Sequence, residues 1–284
     1  MKPLSRPFIL FNAAAALVIV GSVVVVARSW TPEPIQACGE RYRKGMVFAL
    51  ESAPGQLMTG ADLQSRMGVD EWGVLDNLAA VPVSDAPAKN ALKVKLEKAV
   101  TRAADGASER YGVGFSWAPR VFATSTAACL TYSVKVPTGF IFGRGGQLPA
   151  LGVAQSTDGR DHAGVSTMVQ WRERGVGEIA ASLGAGTDRQ PAVLARDAFK
   201  LTTGSWTTLE QEVVLNTPGS ADGLVRLWVD GKLKLERKGL VLRGNAEQTI
   251  GGVNAAVTYG VLQVGAVPPP GQELMVTPFE LRWQ

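Results

Sequence analysis

The sequence predicts an all-β fold, an antiparallel β-sandwich of the jelly-roll type, preceded by an N-terminal transmembrane or signal helix. Three observations support this prediction: an apolar run at the N-terminus, alternation of apolar and polar residues in the short segments after it, and turns rich in Gly, Pro, Asn and Asp between those segments. The chain has 284 residues, 46% of them hydrophobic. It is long and apolar enough to bury a large core, which excludes an intrinsically disordered chain.

The apolar run covers residues 8–27. A helix of this length extends over about 30 Å, the thickness of the hydrocarbon core of a membrane. Lys2 and Arg6 precede the run, so the positive-inside rule keeps the N-terminus in the cytoplasm and exports the rest. Residues 1–30 are predicted to be either a signal anchor or a cleaved signal peptide, because residues 25–27 also fit a cleavage site. The domain that follows is then periplasmic or extracellular, and either membrane-anchored or secreted.

Residues 31–42 are predicted to be a Pro-containing linker, and residues 43–284 a single β-sandwich domain. Export would place Cys38 and Cys129 in an oxidising compartment. A disulfide between them would close a loop of about 90 residues and contribute about 4 kcal/mol in the chain-entropy model. The alternative is two buried free thiols.

The charge distribution argues against a nucleic-acid partner. The chain has 29 Lys+Arg and 25 Asp+Glu, a formal net charge of +4. Three of the positive charges (Lys2, Arg6 and Arg28) flank the apolar run, which leaves +1 for residues 29–284. A nucleic-acid-binding protein is expected to show a clustered basic face. One His and two Cys are too few for a Cys/His zinc cluster. No metal site and no cofactor is assigned, and calcium at Asp residues in turns is left open.

Alternation with a period of two predicts strands over most of the domain, most clearly at Leu130–Val136. The other predicted strands are Ala91–Lys95, Gly164–Arg172, Glu178–Leu183, Leu209–Leu215, Leu224–Asp230 and Thr277–Trp283. A short helix is predicted at Gly60–Met67 with Thr59 as its N-cap. Glu97–Ala104 has a weaker helical pattern, for which the alternative is the end of a strand followed by a loop.

Motifs of several enzyme classes are incomplete. The Gly-rich segment 143–146 lacks the third Gly of a dinucleotide-binding loop and the Lys-Ser/Thr of a P-loop. A Ser-His-Asp triad would depend on His162, the single His, and no Gly-x-Ser-x-Gly motif is present. Glu210 and Glu212 lie on one face of a predicted strand, about 7 Å apart, which suits glycoside hydrolysis, but such a pair is more often simply part of a solvated face.

Three segments carry a family resemblance together. The first contains Gly145-Gly146-Gln147-Leu148-Pro149; the second is Ser166-Thr167-Met168-Val169-Gln170-Trp171-Arg172; the third contains Leu215-Asn216-Thr217-Pro218-Gly219 and ends in Trp228-Val229-Asp230-Gly231. In this order and spacing they resemble the family 14 polysaccharide lyases, which are alginate- and glucuronan-lyase-like jelly rolls. The resemblance covers residues 43–284.

This resemblance implies β-elimination at a uronate, in which a cation or amide neutralises the sugar carboxylate and a base removes the adjacent proton. In the family these groups are a Lys, an Arg and a Tyr-x-Tyr pair. At these positions the present chain has Gln147, Met168, and Ala180 with Ser182; only the family's Ser is retained, as Ser166. The lyase site is therefore predicted to be degenerate, and no catalytic residue is assigned.

Two replacements would restore activity: His162, Arg160 and Lys135 could supply a base and a carboxylate clamp, or Gln147 could bind the carboxylate as a neutral partner. Without them, the prediction is a domain that binds a polysaccharide, including an anionic one, because residues 226–243 contain six Lys/Arg and two Asp/Glu. The predicted binding residues are Gln147, Ser166, Gln170, Gln211, Arg226 and Trp228. Trp228 and Trp171 could instead be core residues. The alternatives are an active lyase that uses the substituted residues, and a structural protein of the cell envelope.

Overall fold

The computed structural model describes residues 35–67, 71–99, 109–122, 125–152, 166–184, 190–260 and 266–284. The chain forms two compact units, residues 1–36 and residues 37–284. The predicted anchor over residues 8–27 lies outside the described residues. In the described part, no helix has the length and apolar character needed to cross a membrane.

The second unit begins earlier than the sequence predicts. Residues 37–42 were assigned to the linker, but they belong to this unit, and both Cys38 and Tyr42 are buried in it. The apolar and aromatic side chains in this short stretch explain the difference, because they pack on the domain and remove the stretch from solvent. The linker prediction is wrong for these six residues.

The described residues contain three short α-helices and twenty strands. The helices are α1 (Cys38–Arg41), α2 (Gly60–Arg66) and α3 (Val74–Asn77). The first ten strands are β1 (Lys44–Val47), β2 (Glu51–Ala53), β3 (Gln56–Leu57), β4 (Leu78–Pro82), β5 (Asn90–Lys95), β6 (Gly112–Val113), β7 (Ser116–Trp117), β8 (Ala127–Lys135), β9 (Gly146–Leu148) and β10 (Ala150–Leu151). The others are β11 (Thr167–Trp171), β12 (Val176–Leu183), β13 (Gln190–Lys200), β14 (Trp206–Val214), β15 (Gly223–Val229), β16 (Lys232–Leu240), β17 (Val253–Asn254), β18 (Val257–Tyr259), β19 (Glu273–Val276) and β20 (Glu280–Trp283).

Two antiparallel sheets form a sandwich, as the sequence predicts. The nine-stranded sheet has the order β16-β15-β14-β8-β19-β5-β4, with β20 pairing both β8 and β1. The six-stranded sheet has the order β13-β12-β11-β9-β18-β6. A three-stranded sheet, β10-β17-β7, and the pair β2-β3 complete the described strands.

The helix predicted at Gly60–Met67 is confirmed, whereas residues 97–99, the described part of Glu97–Ala104, agree with the alternative of a strand end. Thr59 caps α2 in a capping box, in which its hydroxyl accepts a hydrogen bond from the Asp62 amide and the Asp62 carboxylate accepts one from the Thr59 amide. In contrast, Lys98 forms a β-bridge with Tyr111, so no helix begins at Glu97. Hydrogen bonds to an antiparallel segment take the place of the local backbone hydrogen bonds that a helix would form.

The core lies between the two sheets and is crossed by polar bridges. Trp171 is fully buried in this core, so it is a core residue and does not contact a sugar. Gln211 on β14 also points inward: its amide nitrogen donates to the Thr167 hydroxyl at 3.0 Å, and its amide oxygen accepts from the Leu151 backbone at 2.8 Å. A buried polar side chain with both ends satisfied ties the sheets together without a desolvation penalty. Gln211 is therefore an interior residue, and the prediction that it binds sugar is wrong.

Candidate functional site

The outer face of the six-stranded sheet contains the positions at which the sequence departs from a lyase site. On β11, Thr167, Val169 and Trp171 point into the core, so alternate residues point outward. Residues that pair directly across an antiparallel sheet point to the same side of it. The residues paired with Met168 and Gln170 on the neighbouring strands, and their own partners in turn, therefore also point outward. We call this surface the polar face; its residues are Gln147, Ser166, Met168, Gln170, Glu178, Ala180, Ser182, Val193 and Thr258.

Gln147 stands in the middle of the polar face because its neighbour is a glycine. A Cβ on Gly146 would lie 1.9 Å from the Trp171 ring, so only glycine lets this indole pack beneath β9. The indole nitrogen donates to the Phe142 carbonyl at 3.2 Å, which fixes the ring. With Gly146 facing the core, the Gln147 side chain is directed outward, between Gln170 on one side and Thr258 on the other.

Neutral polar groups occupy the centre of this face. Gln147 and Thr258 are half-buried, and neither side chain has a hydrogen-bond partner among the described residues. Gln170 is only 2% exposed, and its amide nitrogen lies 3.7 Å from the Met168 sulfur, a weak acceptor. Amides and hydroxyls with free donors and acceptors can hydrogen-bond to the hydroxyls of a sugar.

The charged groups of the polar face lie at one of its sides. The Glu178 carboxylate accepts a hydrogen bond from the Arg172 guanidinium at 2.5 Å, and Arg196 lies 3.7 Å from its other oxygen. The side chain of Glu178 is 7% exposed, whereas that of Arg196 is 78% exposed. The carboxylate is thus neutralised by Arg172, and the Arg196 guanidinium remains accessible to an anion.

Three of the positions at which the resemblance implies lyase residues lie side by side on the polar face. Met168 lies directly opposite Ala180, and Ser182 follows two residues later on the same side. A thioether, a methyl group and a hydroxyl therefore occupy the positions at which the family resemblance implies a cation and two phenols. No Lys, His or Tyr side chain is present among the described residues of this face.

The structure separates the six predicted binding residues. Gln147, Ser166 and Gln170 lie together on the polar face. Arg226 and Trp228 lie on β15, on the outer face of the nine-stranded sheet, which is the opposite side of the sandwich. The predicted single groove is wrong because alternation shows which residues share a face of a strand, but not which sheet the strand joins.

The outer face of the nine-stranded sheet is covered by α1, and we call it the clasped face. Cys38 and Cys129 form a disulfide with an S–S distance of 2.08 Å, so the alternative of free thiols does not hold. Trp228 is 1% exposed in the cluster that these two cysteines form with Tyr42. Trp228 is therefore a packing residue and offers no platform for a sugar ring.

Buried ion pairs complete the clasped face. Glu212 is fully buried and accepts hydrogen bonds from Arg41 at 2.5 Å, from the Tyr42 hydroxyl at 2.6 Å and from Arg226 at 3.0 Å. Burial, followed by this hydrogen bond to Glu212, raises the pKa of Tyr42. Arg226 also donates to Glu236 at 2.6 Å. These groups satisfy one another, which leaves none of them free for a ligand.

The Glu210–Glu212 pair does not form a glycosidase site. Glu212 is enclosed, and the Glu210 carboxylate accepts a hydrogen bond from the Cys38 amide at 2.6 Å. Burial raises the pKa of Glu210, while these backbone contacts act in the opposite direction. Cys38, Cys129 and Glu210 bring potential metal-ligand atoms within 4.8 Å of one another, but the disulfide uses both sulfurs. The cluster holds α1 in place.

Of the residues that could restore a lyase site, Lys135 also lies on the nine-stranded sheet. Its ammonium is paired with Asp85 and lies 5.9 Å from the centre of the Trp206 ring. It is thus on the wrong side of the sandwich to serve the polar face. His162 and Arg160 lie outside the described residues. Sequence reasoning missed Thr258, although Val257-Thr258-Tyr259 alternates and could have identified it.

Comparisons with known proteins agree on one group. The model of the family described as polysaccharide lyase 14 matches residues 84–263. An alginate lyase from Aplysia kurodai, of the same family type, has a TM-score of 0.64 at 19% identity, over 86% of this chain and 99% of that one. An alginate lyase from a Chlorella virus has a TM-score of 0.57 at 21% identity, over 73% and 90%. The endo-β-1,4-glucuronan lyase of the fungus Trichoderma reesei has a TM-score of 0.57 at 11% identity, over 77% and 90%. At these identities the likeness shows the fold. No curated protein sequence matches the chain.

Proposed function

We propose that this chain, which belongs to the polysaccharide lyase 14 family, binds a polyuronate along its polar face and does not cleave it by the elimination typical of that family. One observation carries the proposal. The positions of the family's cation and phenols are on the expected face, but they hold Met168, Ala180 and Ser182. The scaffold for binding is thus retained, while the groups for proton transfer are replaced.

The loss of these groups matters more for catalysis than for binding. Elimination creates negative charge beside the sugar carboxylate, and the transition state is stabilised only if a cation or strong donor neutralises that carboxylate. A base must also stand within hydrogen-bond reach of the proton that leaves. Gln147 could donate a neutral hydrogen bond, but an amide cannot accept the proton. Binding, in contrast, needs only hydrogen bonds and shape.

Two features support a uronate as the ligand. The similar solved structures are alginate and glucuronan lyases, and both of these polymers consist of uronates. The exposed guanidinium of Arg196 at the side of the polar face also suits a carboxylate, because arginine and a carboxylate form paired hydrogen bonds. A neutral glycan would make no use of this cation.

We also propose that the domain is exported, and either held to a membrane by residues 8–27 or secreted after cleavage. The apolar run and the basic residues before it support export. The Cys38–Cys129 disulfide supports an oxidising compartment, since such bonds are rare in the reducing cytosol. Protease protection of the domain in intact cells and in spheroplasts tests this proposal.

Catalysis is tested by incubating the full-length chain with alginate and with glucuronan. Elimination gives an unsaturated uronate, whose ultraviolet absorbance we expect to stay at baseline while an active alginate lyase raises it. A rise that is lost in Gln147→Ala would show an active lyase that uses the substituted residue. A rise that is lost in His162→Ala would instead assign the base to His162. Either rise contradicts the proposal of a non-cleaving domain.

Binding is tested by calorimetric titration with alginate oligosaccharides. Gln147→Ala/Thr258→Ala removes two side chains without a hydrogen-bond partner in the described part of the protein, so the fold should be unaffected. At about 1 kcal/mol for each of the two hydrogen bonds, the dissociation constant should rise roughly thirtyfold. The matched control is Gln56→Ala/Thr126→Ala, at exposed positions away from this face, and it should bind like the native chain. If the native chain binds no glycan, a structural envelope protein becomes the better explanation.

A further inference from the structure

A second concave site lies away from the polar face, where the edge strands of the two sheets meet. Strand β13 is the edge of the six-stranded sheet, β16 is the edge of the nine-stranded sheet, and Arg237 on β16 donates to the Leu194 carbonyl on β13 at 3.0 Å. Beyond this contact the edges enclose an open groove of about 560 Å³. We call it the lateral groove; its lining residues are Val176, Asp197, Ala198, Phe199, Lys200, Val229, Asp230, Lys232 and Lys234.

Both strands that border the lateral groove are irregular at the groove itself. Opposite β15, Leu233 pairs with Trp228 and Leu235 with Leu227, so Lys234 is an extra residue in a bulge. The register of β12 against β13 also shifts between Gly177 and Ile179. Asp197 lies in the corresponding bulge of β13 and has a φ of 56°. Bulges redirect side chains and occur often beside functional sites. Here two bulges in different sheets direct charged side chains into one groove.

Most charged groups of the lateral groove have no partner among the described residues. Lys200, Lys232 and Lys234 are exposed and form no ion pair with any described carboxylate. The Asp197 carboxylate has no hydrogen-bond or ion-pair partner among the described residues. Asp230 uses one oxygen to accept the Thr208 amide at 2.8 Å. The groove thus offers three free ammonium groups and acceptors from two carboxylates. This contrasts with the clasped face, where arginines and glutamates are paired.

We propose that the lateral groove is a second sugar-binding site, which takes a uronate unit of an anionic polysaccharide. Ammonium groups pair with the carboxylate of such a unit, and the aspartates accept hydrogen bonds from its hydroxyls. Carboxylates and hydroxyls occur together in a uronate, which matches the mixture of Lys and Asp. Among the apolar residues that line the groove, the half-buried Val176 offers a surface for the C–H groups of the ring. This site is separate from the polar face and stands on its own observations.

A nucleic acid is a poorer fit to the same groove. Asp197 and Asp230 repel any polyanion, but a uronate offers several hydroxyl donors to them, whereas a phosphodiester backbone offers few. Binding of single-stranded nucleic acid also relies on aromatic rings that stack on the bases. Phe199 is the aromatic residue in the groove, and it is 6% exposed, so its ring is covered.

The test is a titration of the full-length, isotope-labelled chain with an alginate tetrasaccharide, followed by backbone-amide nuclear magnetic resonance. We expect shifts for residues 197–200 and 229–234, and separately for residues of the polar face. In Lys232→Ala/Lys234→Ala the dissociation constant read from the groove amides should rise about fivefold or more, since two ion pairs are lost. Lys232→Arg/Lys234→Arg keeps both charges and should bind like the native chain. Lys44→Ala/Lys89→Ala, at exposed lysines without ion pairs, is the matched control.

The outcomes separate the lateral groove from the polar face. Shifts on the polar face alone would overturn the lateral site and leave the proposed function intact. Shifts in the groove alone would support the lateral site and count against the polar face. Equal groove shifts with a neutral cello-oligosaccharide would overturn recognition of charge. Equal shifts with an oligodeoxythymidylate would overturn the assignment to a uronate and indicate a general polyanion surface.

Discussion

The two outer faces of the sandwich use their polar residues in opposite ways. On the clasped face, Glu212 and Arg226 are buried and hydrogen-bonded to each other, and α1 is fastened over them by a disulfide. On the polar face, Gln147 and Thr258 are half-buried and have no partner within the described protein. Both faces belong to antiparallel sheets, so sheet geometry does not explain the contrast. What differs is whether the polar groups satisfy one another or remain available.

This contrast separates stability from recognition. Buried polar groups must be paired, and losing one partner costs the desolvation of the other. Substitution of a paired residue on the clasped face should therefore lower the free energy of unfolding and leave the affinity for sugar unchanged. Substitution of a residue at the centre of the polar face should lower the affinity and leave the free energy of unfolding unchanged.

The largest loss in the free energy of unfolding is expected when the disulfide of the clasped face is removed. Cys38 and Cys129 are separated by 91 residues. Cys38→Ala/Cys129→Ala should lower the free energy of unfolding by about 4 kcal/mol, because the unfolded chain regains the entropy of that loop. Denaturant unfolding of both proteins under oxidising conditions measures the difference, and the native chain with reductant is the control. A loss below about 1 kcal/mol would show that α1 contributes little to the fold.

Trp228→Ala should cause the second largest loss in the free energy of unfolding. Because Trp228 is 1% exposed beneath α1, its removal leaves a cavity that costs about 3 kcal/mol. Trp206, on the same side of the same sheet, is only partly buried, so Trp206→Ala should cost about 1 kcal/mol. Neither change should alter the affinity of the folded protein for alginate oligosaccharides. If Trp228→Ala binds the oligosaccharides more weakly and Trp206→Ala does not, Trp228 would be part of the sugar-binding site.

Glu212→Gln on the clasped face and Glu178→Gln on the polar face compare how much a buried carboxylate contributes to the free energy of unfolding on each face. Glu212→Gln leaves Arg41 and Arg226 with a neutral partner, and we expect a loss of about 2 kcal/mol in the free energy of unfolding. Glu178→Gln on the polar face should cost about 1 kcal/mol at most, since Arg172 and Arg196 can turn to solvent. Chemical denaturation of the two variants gives both values. Equal losses would contradict the distinction between the faces.

The local structure was largely predictable from the sequence, but the pairing of the sheets was not. Alternation located β8, β14 and β15, and Thr59 marked the start of α2, because side-chain direction and capping depend on near neighbours. Alternation does not show which strands lie side by side across long stretches of chain. Arg226 and Trp228 were therefore placed with Gln147, although β15 and β9 belong to different sheets.

Two further features depend on long-range contacts and left little signal in the sequence. Gln211 looks like a surface residue, yet its two partners come from β10 and β11 in other sheets. Helix α1 is four residues long, too short for a periodic pattern, and its position depends on Cys129 far along the chain. The substituted lyase positions, in contrast, followed from local motifs, and the structure shows Met168 opposite Ala180 on one face.

The smallest effect concerns the pH dependence of Glu210 at the edge of the clasped face. Burial raises the pKa of Glu210 above its ordinary value of 4.5, so the folded protein holds this proton more strongly than the unfolded chain does. Stability contributed by the protonated carboxyl is then greatest below pH 4.5 and is lost as the pH rises through the folded-state value. Glu210→Gln cannot ionise, so the stability of the native chain relative to this variant should fall as the pH is raised from below 4.5 towards neutral. Urea unfolding of both proteins across this range measures the difference. A relative stability that rises with pH would mean that the amides of Cys38 and Gly39 outweigh burial, and that α1 is held by an ionised carboxylate.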